Sequence, residues 1–291
     1  MIAKIKAKLK PIIKLLPLCQ NHDQPQIALI RLEGVIGKAG LGSGLKAADL
    51  GYFSKIEKSK NLKALAVQIN SPGGSPVQSE LIFEKLRQLA KKTQLPLYVF
   101  CEDVAASGGY FLALAGDHIY ALPSSIIGSI GVISSGFGFT QAIARLGIER
   151  RVITSGKNKA IYDPFSQAKQ EDIDLIKDLQ IDIHQHFIKI VKTRRGEKIA
   201  EADAEEIING KFFSGSKAQK LGLIDGCGSL DEILRRDFGD NYQLKKFGKN
   251  LGFFQKRFIS KQALLMRSIS HFIDAEISHR SLWQKYKLKI L

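Results

Sequence analysis

From residue 26 onward, short runs rich in β-branched and apolar residues alternate with longer stretches in which apolar residues recur at helical spacing. This alternation is typical of α/β proteins, in which parallel strands are joined by crossover helices. It predicts helices at residues 77–93, 170–195 and 202–208, and a last short strand at 223–225. The other predicted strands lie at residues 26–32, 64–69, 97–101, 118–121, 131–134 and 149–154.

The predicted elements divide the chain into three parts. Residues 1–25 form a basic amphipathic segment, residues 26–238 form one α/β domain, and residues 239–291 form a basic helical tail. Apolar residues recur at helical spacing in the tail, so packing on the domain, on a partner subunit and on lipid all remain open.

The net charge of +16 is concentrated at the two ends of the chain. Residues 1–20 carry five lysines and no acid, and residues 245–291 carry eleven basic residues against two acids. Because apolar residues are interleaved with these charges, the ends favour an anionic membrane surface over nucleic acid. No apolar run approaches the roughly 20 residues of a membrane span, so we expect peripheral attachment.

The three cysteines, Cys19, Cys101 and Cys227, lie far apart and show no metal-ligand spacing. This usage predicts neither a disulfide framework nor a zinc site, and it fits a reducing compartment. A glycine-rich dinucleotide motif followed by an acid is also absent from the sequence. We therefore expect no cofactor.

Three glycine-containing motifs follow predicted strands, where α/β sheets usually form a binding crevice. They are Asn-Ser-Pro-Gly-Gly at 70–74, Ala-Ala-Ser-Gly-Gly-Tyr at 105–110 and Gly-Ser-Ile-Gly at 128–131. In the second motif, Ser107 precedes an apolar helical run, so its hydroxyl is expected near a helix N-terminus. By itself this motif is typical of a helix-capping serine.

A serine nucleophile needs a base, and the histidines offer little. His184 and His186 are two apart on a predicted helix and so point to different sides, whereas His118 reads more readily as structural. A lysine serves as base when burial lowers its pKa. Lys157 and Lys159 follow a predicted strand, but their local pattern alone predicts a solvated turn.

The motifs together resemble the signal peptide peptidase A family of serine peptidases. The resemblance covers about residues 26–238 and includes the closing segment at 213–225. It implies a Clp/crotonase-like α/β fold of stacked βαβ units and a homo-oligomeric ring. The chain differs from typical bacterial members in lacking a clear transmembrane helix. The motifs that carry the resemblance are Ser-Pro-Gly-Gly at 71–74, Ala-Ser-Gly-Gly-Tyr at 106–110, Gly-Ser-Ile-Gly-Val-Ile at 128–133 and Ser-Gly-x-x-Lys at 155–159.

The resemblance also implies a role for each motif residue. Ser107 matches the nucleophile, Lys159 its general base, and Ser129 the serine that orients the lysine. The backbone N–H groups of Gly74 and Gly108 match the oxyanion hole. In some branches the serine and lysine come from neighbouring subunits, whereas the Ser-Gly-x-x-Lys arrangement implies a single subunit.

These roles predict a serine endopeptidase that cuts signal peptides or short unfolded hydrophobic peptides. The substrate would add as a strand beside Gly131, Val132 and Ile133. The expected location is the bacterial cytoplasm, peripherally bound to the inner membrane. Two alternatives are a crotonase-like relative that binds acyl-CoA without hydrolysis, and a membrane scaffold built on the basic ends.

Overall fold

The computed structural model describes residues 24–39 and 42–248. The main sheet contains β1 (Gln26–Glu33), β4 (Leu62–Ser71), β5 (Leu97–Ala106), β6 (His118–Ala121), β7 (Ile126–Gly128), β8 (Phe212–Ser214), β9 (Gly226–Cys227) and β10 (Gln243–Phe247). A hairpin is formed by β2 (Lys38–Ala39) and β3 (Gly42–Ser43). The helices are α1 (Phe53–Glu57), α2 (Pro76–Thr93), α3 (Gly108–Ala113), α4 (Thr140–Arg145), α5 (Gln170–Arg195), α6 (Ala204–Ile208), α7 (Gly215–Lys220) and α8 (Leu230–Phe238), with 3-10 turns at Ala47–Tyr52, Gly196–Lys198 and Glu201–Asp203.

The sheet is predominantly parallel. Six strands follow the order β10-β1-β4-β5-β6-β9, and every neighbouring pair along this path is parallel. β7 lies parallel to the last residues of β5 and pairs antiparallel with β8. Parallel neighbours need crossover connections, and α2 supplies one between β4 and β5. The α/β prediction is confirmed, including this βαβ unit.

Hydrophobic residues cover both faces of the sheet. In β1, Ile27 and Leu29 pack on the face that α8 covers with Ile233 and Leu234. Residues Ala28, Ile30 and Leu32 point to the opposite face, where α2 and α3 pack. Burial on both faces explains why these strands read as near-continuous apolar runs.

Local sequence signals set the limits of α2, the helix that lies beside the site. Ser75 caps its start, because the serine Oγ accepts a hydrogen bond from the Gln78 amide at 3.4 Å, and Pro76 occupies the first turn. The helix ends at Thr93, and the next residue, Gln94, adopts a left-handed conformation. Its buried stripe is formed by Ile82, Phe83, Leu86 and Leu89.

Two predicted strands are not strands in the structure. Residues 131–134 and 149–154 pair with no strand in the described part of the chain. Ile133 is 86% exposed and Ile153 is fully exposed. The apolar residues are present as predicted, but they meet no neighbouring strand or core among residues 24–39 and 42–248.

The predicted strand at 223–225 is also wrong, and β9 begins directly after it. Leu223 is buried, but its amide donates to the carbonyl of Ala218 and its carbonyl accepts from the Tyr110 hydroxyl at 2.8 Å. These bonds use the backbone groups that a sheet ladder would need. The segment is therefore a buried turn.

The sheet continues beyond residue 238, where we expected the domain to close. β10 pairs in parallel with the edge of β1, with Ile27 opposite Leu244 and Ile30 opposite Phe247. Leu244 and Phe247 pack on opposite faces, so this part of the predicted helical tail is a strand that covers the sheet edge.

The two basic ends lie largely outside the described residues. These are residues 1–23 of the predicted amphipathic segment and residues 249–291 of the predicted tail. Within residues 24–39 and 42–248, no helix has the length and apolar character needed to cross a bilayer.

Asp225 fastens the end of α5 to the sheet. Its carboxylate accepts from the Ile119 amide at 2.7 Å and pairs with Arg195 at 2.9 Å, and Lys198 adds a second cation. Arg195 is only 3% exposed. Burial of Asp225 opposes its ionisation, but the bonds from Lys198, Ile119 and Arg195 outweigh it and hold its pKa below the ordinary value.

We expect Asp225→Asn to lower the free energy of unfolding by about 3 kcal/mol at pH 7, because a buried guanidinium loses its counter-charge. Because the pKa of Asp225 is lower in the folded protein than in the unfolded chain, its carboxylate stabilises the folded protein at pH values above the unfolded pKa. This stabilisation is lost as the pH falls through the folded pKa. Urea denaturation from pH 7 to pH 2 should therefore show a constant difference between the two proteins above about pH 4 and a shrinking difference below it.

Asp240→Asn is the matched control, since that carboxylate is exposed and, among the described residues, bonded only to Arg235. It should change stability by less than about 0.5 kcal/mol. A difference between wild type and Asp225→Asn that stays constant down to pH 2 would contradict the explanation.

Candidate active site

Two glycine-containing loops touch where β4 and β5 end. Ser71 of β4 lies opposite Ala105 of β5. A Cβ atom on Gly73 would lie 2.7 Å from the Gly108 amide nitrogen, which is too close for a side chain. Glycine is therefore required for the two loops to approach each other.

The close approach of these two loops brings the backbone amides of Gly74 and Gly108 together. A Cβ atom on Gly108 would lie 3.3 Å from the amide nitrogen of Gly74, so the two residues are neighbours in space. Gly108 is the first residue of α3, where an N–H group has no intrahelical acceptor. Among the described residues, neither amide has a hydrogen-bond partner. Two such donors can stabilise a developing oxyanion.

Ser107 occupies a strained turn between β5 and α3. Its backbone has φ 52° and ψ −122°, a conformation that non-glycine residues rarely adopt. The turn is held because the Ser107 amide donates to the Gly128 carbonyl at 2.7 Å and its carbonyl accepts from the Phe111 amide at 2.9 Å. The side chain makes no capping bond, and its hydroxyl has no hydrogen-bond partner among the described residues. A serine on a sharp strand-to-helix turn is a geometry used by hydrolase nucleophiles.

Ser129 follows β7 in a second left-handed turn. Its φ is 54°, and its amide donates to the Lys211 carbonyl at 2.6 Å. Since β7 lies beside the last residues of β5, Ser129 reaches the same region as Ser107. Both serines line one cavity.

Two cavities meet at Ser107. The α2–α5 cavity, of about 410 Å³, lies between those helices and has apolar walls that include Val77, Phe111, Ile183 and Phe187. The His184 cavity, of about 630 Å³, is lined by Ser129, Asn209 and His184 among others. Gly74, Gly131 and Val132 line both cavities, and Ile133 lines the second. An extended chain crossing Ser107 could therefore place side chains on either side of it.

Comparison with known proteins identifies the family. A sequence model of Peptidase family S49 matches residues 89–238, which include Ser107, Ser129 and Lys159. The chain belongs to peptidase family S49. Its α/β fold and its motifs agree with the resemblance to signal peptide peptidase A.

Individual relatives of this S49 chain carry different names. A protein assigned as a protease in Synechocystis sp. is 32% identical over 213 residues, which cover 73% of each chain. Serine protease SPPA, chloroplastic, of Arabidopsis thaliana is 30% identical over 72% of this chain and 31% of its own length. A Brucella abortus protein named Na(+)/H(+) antiporter NhaA is 46% identical over 80% of this chain. The chain spans about a third of the Brucella and Arabidopsis proteins, at 32% and 31% of their lengths.

Lys159 of the S49 chain lies on an exposed loop. Its amide contacts the Gly156 carbonyl at 3.3 Å, and its side chain has no ion-pair or hydrogen-bond partner among the described residues. Lys157 nearby pairs with Glu171 at 3.1 Å. Neither lysine lines the two cavities at Ser107. The structure therefore brings together Ser107, Ser129, Gly74 and Gly108, but it does not bring Lys159 to them within one chain.

The two histidines of α5 line the cavities at Ser107, a position that the sequence did not suggest. His184 lines one cavity at Ser107, and its Nε2 lies 3.2 Å from the Ile130 carbonyl. His186 lines the α2–α5 cavity, and its Nε2 lies 3.0 Å from Glu80 Oε1. They do point to different sides of the helix, but a cavity lies on each side. His118 instead stacks near Tyr98 at the start of β6, remote from the strand ends that carry Ser107.

Proposed function

We propose that this chain is a serine endopeptidase in which Ser107 attacks the peptide bond and Lys159 acts as its base. One observation carries the proposal: the free hydroxyl of Ser107 sits in a strained turn beside the unused amides of Gly74 and Gly108. These are the nucleophile and the oxyanion donors that acyl transfer requires.

The proposed reaction proceeds through an acyl-enzyme. Ser107 Oγ forms a bond to the scissile carbonyl carbon while its proton passes to the neutral amine of Lys159. The carbonyl oxygen becomes an oxyanion, which accepts hydrogen bonds from Gly74 and Gly108. Lys159 then returns the proton to the leaving amine as the C–N bond breaks. Water repeats the sequence on the ester and releases the acid and the free serine.

In this proposal Lys159 reaches Ser107 from a neighbouring subunit of a homo-oligomer, in contrast to the single-subunit dyad that the Ser-Gly-x-x-Lys arrangement implied, because Lys159 is exposed and lines neither cavity at Ser107. Lys159 belongs to the exposed segment, residues 133–169, which carries large apolar side chains such as Ile133, Leu146 and Ile153 on its surface. Exposed apolar surface of this extent is typical of protein interfaces. A second copy packed on the exposed segment would also bring its own Lys159 to the cavities at Ser107, where no described lining residue is a lysine.

The proposed substrates are signal peptides or other short, unfolded, hydrophobic peptides. Support comes from the apolar walls of the α2–α5 cavity and from the free backbone of residues 131–133, beside which a peptide strand can add. We further propose a cytoplasmic protein held at the inner membrane through its basic ends.

Cleavage of an unfolded leucine-rich peptide tests the proposal directly. We expect the products to be two peptides separated at internal bonds, identified by mass spectrometry, and no reaction with the same sequence inside a folded protein. Coenzyme A and acyl-CoA should neither bind nor inhibit. Tight acyl-CoA binding without any peptide cleavage would favour the crotonase-like alternative.

Ile153→Asp should weaken assembly, because its side chain is fully exposed within one chain and belongs to the proposed interface. Burying an unpaired carboxylate should raise the dissociation constant at least about tenfold, measured by analytical ultracentrifugation. Cleavage should fall in parallel at low protein concentration. Lys60→Asp, another exposed position outside the segment, is the control. Unchanged assembly in Ile153→Asp would remove this residue from the interface.

A further inference from the structure

The α2–α5 cavity has a rim formed by Glu80, Asp182 and His186, and these side chains take no part in the proposed cleavage steps. Glu80 lies one turn after Val77 on α2, and Asp182 and His186 lie one turn apart on α5. His186 Nε2 is 3.0 Å from Glu80 Oε1, so this pair bridges the two helices. Two carboxylates and one imidazole thus stand at the cavity that opens beside Ser107.

The net charge of this rim is negative whether the His186 imidazole is neutral or protonated. Asp182 has no hydrogen-bond or ion-pair partner among the described residues. The described side chains that line the cavity include no lysine or arginine. Even with His186 protonated, the two carboxylates outnumber the single cation, so an anionic side chain entering the cavity would be repelled.

The walls below the rim are apolar, and the volume of about 410 Å³ has room for a long side chain. Lysine and arginine bury their methylene stems on apolar surface while keeping the charged end at a polar or wet boundary. A cavity with apolar walls and an acidic rim matches that distribution of polarity. It also accepts a wholly apolar side chain, without the added attraction at the rim.

We infer that Glu80 and Asp182 determine the charge selectivity of peptide cleavage. The side chain that enters the α2–α5 cavity is a long aliphatic one, favoured when it ends in a cation and disfavoured when it ends in a carboxylate. His186 holds the Glu80 carboxylate across the gap between the helices. This inference rests on the proposed cleavage at Ser107.

The test uses three peptides that differ at one residue next to the cleaved bond, which is norleucine, lysine or glutamate. Norleucine and lysine share an aliphatic stem, so the ratio of their kcat/KM values isolates the terminal charge. We expect this lysine-to-norleucine ratio to fall about tenfold from wild type to Glu80→Gln/Asp182→Asn. Cleavage of the glutamate peptide relative to norleucine should rise. Mass spectrometry confirms that the cleaved bond stays the same.

Glu84→Gln/Asp178→Asn is the matched control, since these exposed carboxylates lie one turn away on the same helices and do not line the cavity. Its ratios should stay within about twofold of wild type. An equally small change in Glu80→Gln/Asp182→Asn overturns the inference, while cleavage of the norleucine peptide by wild type still supports the proposed function. Failure of wild type to cleave any of the peptides would refute both.

Discussion

Ser107→Ala is expected to lower kcat/KM for cleavage of an unfolded leucine-rich peptide by at least about 10⁴-fold. The substitution removes the attacking oxygen and leaves only the binding cavities and the Gly74 and Gly108 amides. It should not unfold the protein, because the strained turn is held by backbone bonds to Gly128 and Phe111. Single-turnover assays with thermal denaturation as a folding check measure both quantities.

Lys159→Ala should produce a loss of similar size, and the double variant should be no worse than either single variant, because the two side chains act as one unit. Lys157→Ala is the matched control in the same loop, where the lysine pairs with Glu171 on the surface. It should stay within about twofold of wild type. Cleavage that survives Ser107→Ala would require a different nucleophile.

Mixed oligomers of Ser107→Ala and Lys159→Ala subunits are expected to recover activity that neither variant has alone. A site works when its serine comes from a Lys159→Ala subunit and its lysine from a Ser107→Ala neighbour. In random assemblies about a quarter of the sites meet both conditions, so activity should reach about a quarter of wild type. Co-expression with two affinity tags, followed by tandem purification, supplies the mixed assemblies.

The control pairs Ser107→Ala with the Ser107→Ala/Lys159→Ala double variant, and this combination should stay inactive. Recovery in mixtures of the two single variants, without recovery in this control, would place the dyad across subunits. No recovery in assemblies that carry both tags would place serine and lysine within one chain. That result would then require the exposed segment to fold back onto its own domain.

The central strands and α2 could be predicted because their signals are local. β1, β4, β5 and β6 are covered on both faces, which makes their apolar runs long, and α2 has a capping serine, an initial proline and a clear buried stripe. The glycine motifs were also informative, since the turns they form require conformations or close approaches that side chains do not allow.

Other features depend on contacts that a sequence pattern does not specify. The apolar residues at 131–134 and 149–154 indicate burial but not which chain provides it, and the structure leaves Ile133 and Ile153 exposed. β9 has two residues, too few for a period to show. The cavities that receive His184 and His186 form only when α5 packs against the loops after β4 and β7. The distance from Lys159 to Ser107 likewise depends on tertiary and quaternary packing.

The exposed position of Lys159 has a consequence for how such a peptidase is controlled. If the lysine reaches Ser107 only from a neighbour, a newly made subunit is inert, and it gains activity when its concentration permits association. No inhibitory propeptide would then be needed to protect the cell during synthesis. The local concentration of subunits would act as the switch.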